Sequence, residues 1–261
     1  MRDRAYAGGV TLMIVAGVAL LSAQSGRSAP AVSVLATNAI IGPLTALAED
    51  FKRQSGTDVT VAFETSPTIA RKLAAGEIAG IDVLILATPA AEQAVKDGRA
   101  VADSRVHVGR SGVGIAIRRG GRRPDVSTVD ALTASLQEAD RVLYTQGASG
   151  VYVEKLLQTL GIAEQLKARS QQLATGDAML ERLAAGNGHE IGFTQVSEIK
   201  RGEGLWAVAF VGPLPAAVQN YTSFDAVVMS GSRAADAARA FVRTLTAPAA
   251  RTLIADSGWV F

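Results

Sequence analysis

The chain has 261 residues, of which 48% are hydrophobic and 19% charged; it can build one large domain or two ordinary ones and is not a disordered chain. Lys and Arg number 26 against 24 Asp and Glu, and the basic residues are not interleaved with aromatics, so no nucleic-acid partner is expected. There is no cysteine, and neither His107 nor His189 has a ligand-spaced partner, which leaves no basis for a disulfide or a metal site.

Arg2 and Arg4 precede an apolar run from Gly8 to Leu21, followed by Ser22-Ala23-Gln24-Ser25-Gly26. This is the order of a secretory signal peptide, assigned to residues 1–23, and its apolar core is short against the roughly 20 residues of a membrane span. The mature chain is expected to be exported, and periplasmic in a bacterium. Intact mass of protein recovered from that compartment should lack residues 1–23; retention of Met1 would overturn the assignment.

Ala31 to Ala36 is a β-rich run, followed by Thr37-Asn38 and a helical pattern from Ile40 to Gln54. Leu44, Leu47, Ala48 and Phe51 repeat at three and four and form its packed face. A strand over 58–63 leads into Thr65-Ser66-Pro67, where a helix needs its N-cap and first turn. That helix ends at Gly76. Ile81 to Ala87 is nearly continuously apolar, as a strand buried on both faces should be, and Thr88-Pro89 opens a helix to Gly98. Three strand–helix units in succession predict a parallel sheet.

Val113 to Arg118 is the next strand, followed by a glycine-arginine loop and a helix capped by Ser127 and running through Leu136. Arg141 to Thr145 leads through Gln146-Gly147-Ala148-Ser149-Gly150 into a helix ended by Gly161. A polar helix is predicted over 162–170, a helix opened by Gly176-Asp177 through Ala185, a strand over 191–194 and a short helix from Gln195. Strands over 205–211 and 224–229 follow, and helices over 232–246 and 248–257 finish the chain.

Thr37-Asn38, Thr65-Ser66 and Ser149-Gly150 share one design, a polar turn after a strand and at a helix start, and Gln195 holds the same position. A helix start leaves backbone N–H groups unpaired and carries positive partial charge. Hydroxyls, amides and such helix starts at the carboxyl ends of strands suit a small dianion.

The order of these elements resembles the molybdate-binding type of periplasmic substrate-binding protein from ABC transporters. The matching stretches are Leu35-Ala36-Thr37-Asn38, Val61 to Ser66, Ile81 to Ile85, Gly147 to Tyr152, Glu190 to Phe193 and the tail Pro248 to Ile254. The resemblance implies a type II α/β fold of two lobes, each a mixed, mostly parallel sheet flanked by helices. It places 31–111 plus 222–261 in the first lobe and 112–221 in the second, with hinge crossings near Gly112 and Gly212-Pro213. It further implies a monomer without a cofactor that captures a small anionic solute, molybdate or tungstate first and another small anion or organic acid next, and delivers it to an inner-membrane ABC permease.

Carried over, the family's anion contacts fall on Thr37 or Asn38, on Ser66, near Ser149, near Gly176 or Asp177, and on Gln195; Thr65 joins them as the neighbouring hydroxyl. The family's first-strand serine is here Thr37-Asn38 and its tyrosine is Gln195, while Asp177 beside an anion is unfavourable unless it faces away. Two other functions fit less of the chain. A serine hydrolase would use Ser149 as nucleophile, but Gly147-Ala148-Ser149-Gly150 is not a nucleophile elbow and only two histidines can serve as base. An exported interaction module would need an exposed apolar patch instead of a cleft.

Overall fold

Apolar strands whose successive side chains are buried on opposite faces put helices on both faces of the sheet. The computed structural model describes residues 31–261, and the signal-peptide assignment lies outside the described residues. The first elements are β1 (Val32–Thr37), α1 (Ile41–Ser55), β2 (Val59–Glu64), α2 (Ser66–Ala75), β3 (Val83–Ala87), α3 (Thr88–Lys96) and β4 (Val106–Arg118). Then come α4 (Val129–Glu138), β5 (Arg141–Thr145), α5 (Ala148–Thr159), α6 (Ala163–Leu166), β6 (Ser170–Leu173), α7 (Gly176–Ala185), β7 (Glu190–Gln195) and α8 (Val196–Gly202). The last are β8 (Val208–Pro213), β9 (Tyr221–Val228), α9 (Ala235–Thr244), α10 (Pro248–Asp256) and β10 (Trp259–Val260).

In β3, Val83 and Ile85 join one core cluster, with α1 and α9, while Leu84 and Leu86 join another, with α2 and α3. In β4, Val113, Ile115 and Ile117 pack toward α4 and α5, and Ala116 packs toward α7 and α8. Burial on both faces explains the unbroken apolar run at Ile81–Ala87. The strands run in the order β2-β1-β3-β9-β4-β7-β5-β6, with β8 and β10 also on β4. The pairs β1–β2, β1–β3, β5–β6 and β5–β7 are parallel, and β9 and β4 add antiparallel partners. The fold is therefore α/β with two lobes: β2, β1, β3 and β9 carry the first, and β7, β5, β6 and β8 the second.

Strand β4 belongs to both. Its residues 106–112 pair with β9, and 113–118 pair with β7 and β8. The strand predicted to begin at Val113 thus begins at Val106, because Val-His-Val-Gly-Arg-Ser-Gly lacks strict alternation and its register slips between His107 and Gly109. The first passage between lobes runs through Gly112 without a break in the strand. The return passage follows Pro213 and occupies Leu214 to Asn220, later than the expected Gly212-Pro213. The two passages are bonded side by side: Gln219 Oε1 accepts from Val113 N–H (3.1 Å) and Gln219 Nε2 donates to the Val113 carbonyl (3.0 Å).

Other elements shift for local reasons. Thr128, not Ser127, caps α4, its hydroxyl accepting from Ala131 N–H at 3.1 Å, while Ser127 N–H donates to Asp125. The polar helix over 162–170 is the short α6 and a 3-10 turn, after which Ser170–Leu173 is a polar edge strand on β5. Strand β8 starts at Val208, not Leu205, which is exposed in the preceding turn. The end of the chain adds an unpredicted strand, where Trp259 pairs with Ser111 and donates from Nε1 to the Ala39 carbonyl at 3.2 Å. Among the described residues no helix is long and apolar enough to cross a membrane.

Candidate functional site

Each turn singled out by its hydroxyls lies at the carboxyl end of a strand, and the lobes bring these ends face to face. Thr37, Asn38, Thr65, Ser66, Ser149, Gly176 and Gln195 all line one small cavity between the lobes. Ala39, Thr145, Gly147, Ala148, Glu198 and Phe224 complete its wall. The starts of α2, α5, α7 and α8 and of the 3-10 turn Asn38–Ile40 open onto it. Among the described residues no Lys, Arg or His lines it.

The hydroxyls differ in what they have left to offer. Thr65 is the N-cap of α2: its Oγ1 accepts from Thr68 N–H (3.3 Å) and bonds Thr68 Oγ1 (2.8 Å). Ser66, with Pro67 next to it in the first turn, accepts the Ala87 N–H at 3.2 Å and keeps its own proton. Thr37 precedes the 3-10 turn and makes no capping bond with its side chain. Ser149 is the second residue of α5 and is 1% exposed. The helix can start so close to β5 only because residue 150 is glycine: a Cβ there would lie 1.6 Å from the Thr145 carbonyl oxygen.

Gln195 ends β7 and caps α8. Its surroundings orient the amide so that nitrogen donates to the carbonyls of Ser111 (2.9 Å) and Gly112 (3.2 Å), while oxygen accepts from Thr222 Oγ1 (3.1 Å). The side chain where the family has a tyrosine is thus tied to the strands that cross between lobes. Gly176 opens α7 after its N-cap Thr175, whose hydroxyl accepts from Ala178 N–H at 3.1 Å. Asp177 turns to Arg201, with which it pairs, and does not line the cavity. The hydrolase arrangement is not assembled: His107 bonds Asp225 (3.0 Å), and neither histidine lines the cavity with Ser149.

Sequence reasoning passed over Glu198, among the described residues the one titratable side chain in the wall. It stands three residues after Gln195, the capping-box spacing, and its Oε2 accepts from Gln195 N–H (3.3 Å) and from Thr194 Oγ1. The carboxyl sits against the first turn of α7, where a Cβ on Gly176 would meet it at 2.6 Å. Burial pushes this carboxyl above the usual glutamate range, against the lowering effect of its two hydrogen bonds. With the folded value raised, the native state holds the proton more tightly than the unfolded chain. The stabilisation is full below the unfolded value near 4.3 and is lost as pH rises through the folded one. Thermal melts of wild type and Glu198→Gln should therefore diverge in favour of Gln as pH rises from 5 to 8. Parallel curves would mean the carboxyl is ionised throughout.

A sequence-family profile described as bacterial extracellular solute-binding protein matches residues 32–260. The aconitate isomerase of a Pseudomonas species is 31% identical over 254 residues, covering 94% of this chain and 92% of that protein. Among solved structures, the periplasmic molybdate-binding protein of Azotobacter vinelandii superposes with a TM-score of 0.71 at 19% identity, covering 88% of this chain and 99% of that one. The sulfate-binding protein of Mycobacterium tuberculosis H37Rv superposes with a TM-score of 0.68 at 16% identity, covering 88% and 86%. At these identities the structures speak for the fold, whereas the profile spans both lobes and the cavity between them. The chain belongs to the bacterial extracellular solute-binding protein family.

Proposed function

We propose that this chain is a periplasmic binding protein that captures a small polyanion between its lobes, a di- or tricarboxylate ahead of molybdate or tungstate, and delivers it to an inner-membrane ABC permease. The observation that carries this reading is the cavity wall: helix starts and free hydroxyls from both lobes, with no cationic side chain among the described residues. Such donors bind an anion at modest desolvation cost and release it again. The choice of carboxylate rests on the 31% identity to an aconitate isomerase along nearly the whole chain, against 16–19% to the molybdate and sulfate binders. The lobes would be 31–111 plus 222–261 and 112–221, closing about β4 near Gly112 and about Leu214 to Asn220. Melting curves of the mature monomer with trans-aconitate, cis-aconitate, citrate, molybdate and sulfate test it. An anion at about 100 times its dissociation constant adds roughly 2.7 kcal/mol, so the captured class stands out. Molybdate alone raising the melting temperature would replace the carboxylate; no shift with any of the five would end the reading.

A second reading is favoured by Glu198. A carboxyl in the wall of an anion cleft suits a proton shift on an unsaturated tricarboxylate: it takes a proton from the methylene carbon, the double bond moves, and a proton returns to the former vinylic carbon. Atoms balance without a cofactor. Incubation of cis-aconitate with the protein, followed by chromatography for the trans isomer, tests this reading. Turnover lost in Glu198→Gln would support it, and no conversion by wild type would remove it.

A further inference from the structure

We propose that Glu198 contacts the captured ligand and holds a proton against it, so that each anion bound takes up one proton at this carboxyl. The inference rests on the capture reading above and adds the group that sets its chemistry. Glu198 is 6% exposed, and its Oε2 accepts both hydrogen bonds that the carboxyl makes, from Thr194 Oγ1 and Gln195 N–H. Its Oε1 has no hydrogen-bond partner among the described residues, and the side chain lines the cavity.

An ionised carboxylate is acceptor-only, and so is a fully ionised oxyanion or polycarboxylate. Two such groups side by side in one cavity repel, and the repulsion is relieved when one proton sits between them. Among the described residues the wall has no Lys, Arg or His to neutralise the second charge outright. The charged groups that face Glu198 are Asp177 on α7 and Arg201 on α8, which pair with each other. Strand β7 adds the Thr194 hydroxyl and the Gln195 N–H, and no charged group of β4, β8 or the Asn38–Ile40 turn is among those acting on the carboxyl. Where the empty site is ionised, a second negative charge beside it favours the neutral acid. A neutral Oε1–H then donates to the ligand. Anions that can share a proton in this way are selected over those held by donors alone.

Titration calorimetry on the mature chain tests this with sulfate and trans-aconitate as probes from pH 5 to pH 9. Sulfate carries no proton in that range, which separates Glu198 from titration of the probe. One linked proton makes wild-type affinity fall up to tenfold per pH unit above the value of the empty site. Glu198→Gln keeps a side chain suited to the capping-box position and should bind with a flat profile. The carboxyl-carbon resonance of Glu198 in wild-type protein should also move to the neutral-acid position when sulfate is added at a pH where the empty site is ionised, a readout independent of the variant. A flat wild-type profile, or a slope that persists in Glu198→Gln, overturns the proposal and leaves anion capture standing. Failure of sulfate and trans-aconitate to bind wild type, with cis-aconitate, citrate and molybdate failing as well, removes the capture reading and the proposal with it.

Discussion

Gly150→Ala should destabilise the protein by 3 kcal/mol or more, on the order of a severe core lesion, and abolish any anion-induced rise in melting temperature. The Cβ it introduces lies 1.6 Å from the Thr145 carbonyl oxygen, 2.5 Å from its carbonyl carbon and 2.8 Å from its nitrogen. All three are backbone atoms of β5, which is paired on both sides, so no side chain can swing away. The first turn of α5 must move outward by more than an ångström. That turn carries Ser149, and its N–H groups open on the cavity, so the same displacement removes donors from the second lobe's wall. Gly161→Ala is the control. Gly161 is left-handed (φ 71°) with nothing within 4 Å of an added Cβ, so its cost is backbone strain alone, about 1–2 kcal/mol, with the anion response intact. Equal loss of stability in the two variants, or an anion response surviving in Gly150→Ala, would mean that the helix start is not held where the structure has it.

The contrast between these glycines marks what could be read from the chain. Gly147-Ala148-Ser149-Gly150 reads as a turn into a helix because small and hydroxylic residues follow the strand Arg141–Thr145, and the carboxyl end of such a strand is where a ligand sits. That Gly150 touches Thr145 depends on how closely α5 rests on β5, which no local pattern encodes. The apolar runs of β1 and β3 were legible because both sheet faces are covered. The first half of β4 and the edge strand β6 were not, because glycine, arginine and glutamine there answer to pairing partners distant in sequence. The same division runs through the cavity. Thr37, Ser66, Ser149 and Gln195 could be placed by their turns, but the direction of the Gln195 amide depends on Ser111, Gly112 and Thr222. Glu198 carried only a capping-box spacing, and that signal says nothing about burial against α7.

Ser66→Ala should weaken capture of whichever anion stabilises the protein most by roughly 10- to 150-fold, the equivalent of losing a hydrogen bond to a charged group worth about 1.5–3 kcal/mol. Thr65→Ala, one residue away, should not. The difference lies in their partners. The Thr65 hydroxyl is engaged in capping α2 and bonding Thr68, so its removal costs about 1 kcal/mol of stability and leaves affinity within a few fold. Ser66 accepts one bond from Ala87 N–H and still has a proton to give, and at 5% exposure it has no bulk water to give it to. Ser149, 1% exposed on the opposite wall, should behave like Ser66. On the capture reading the two serines touch one ligand from different lobes, so the double variant Ser66→Ala/Ser149→Ala should lose more affinity than either single variant, with a departure from the simple sum that reports the shared partner. Calorimetry gives the affinities and melting curves of the empty variants give the stabilities, so the two costs are read separately. Should Ser66→Ala lower the melting temperature while affinity stays at the wild-type value, the hydroxyl is a tie between α2 and β3, and the anion contacts of the first lobe must be sought at Thr37, Asn38 and the N–H groups that open α2.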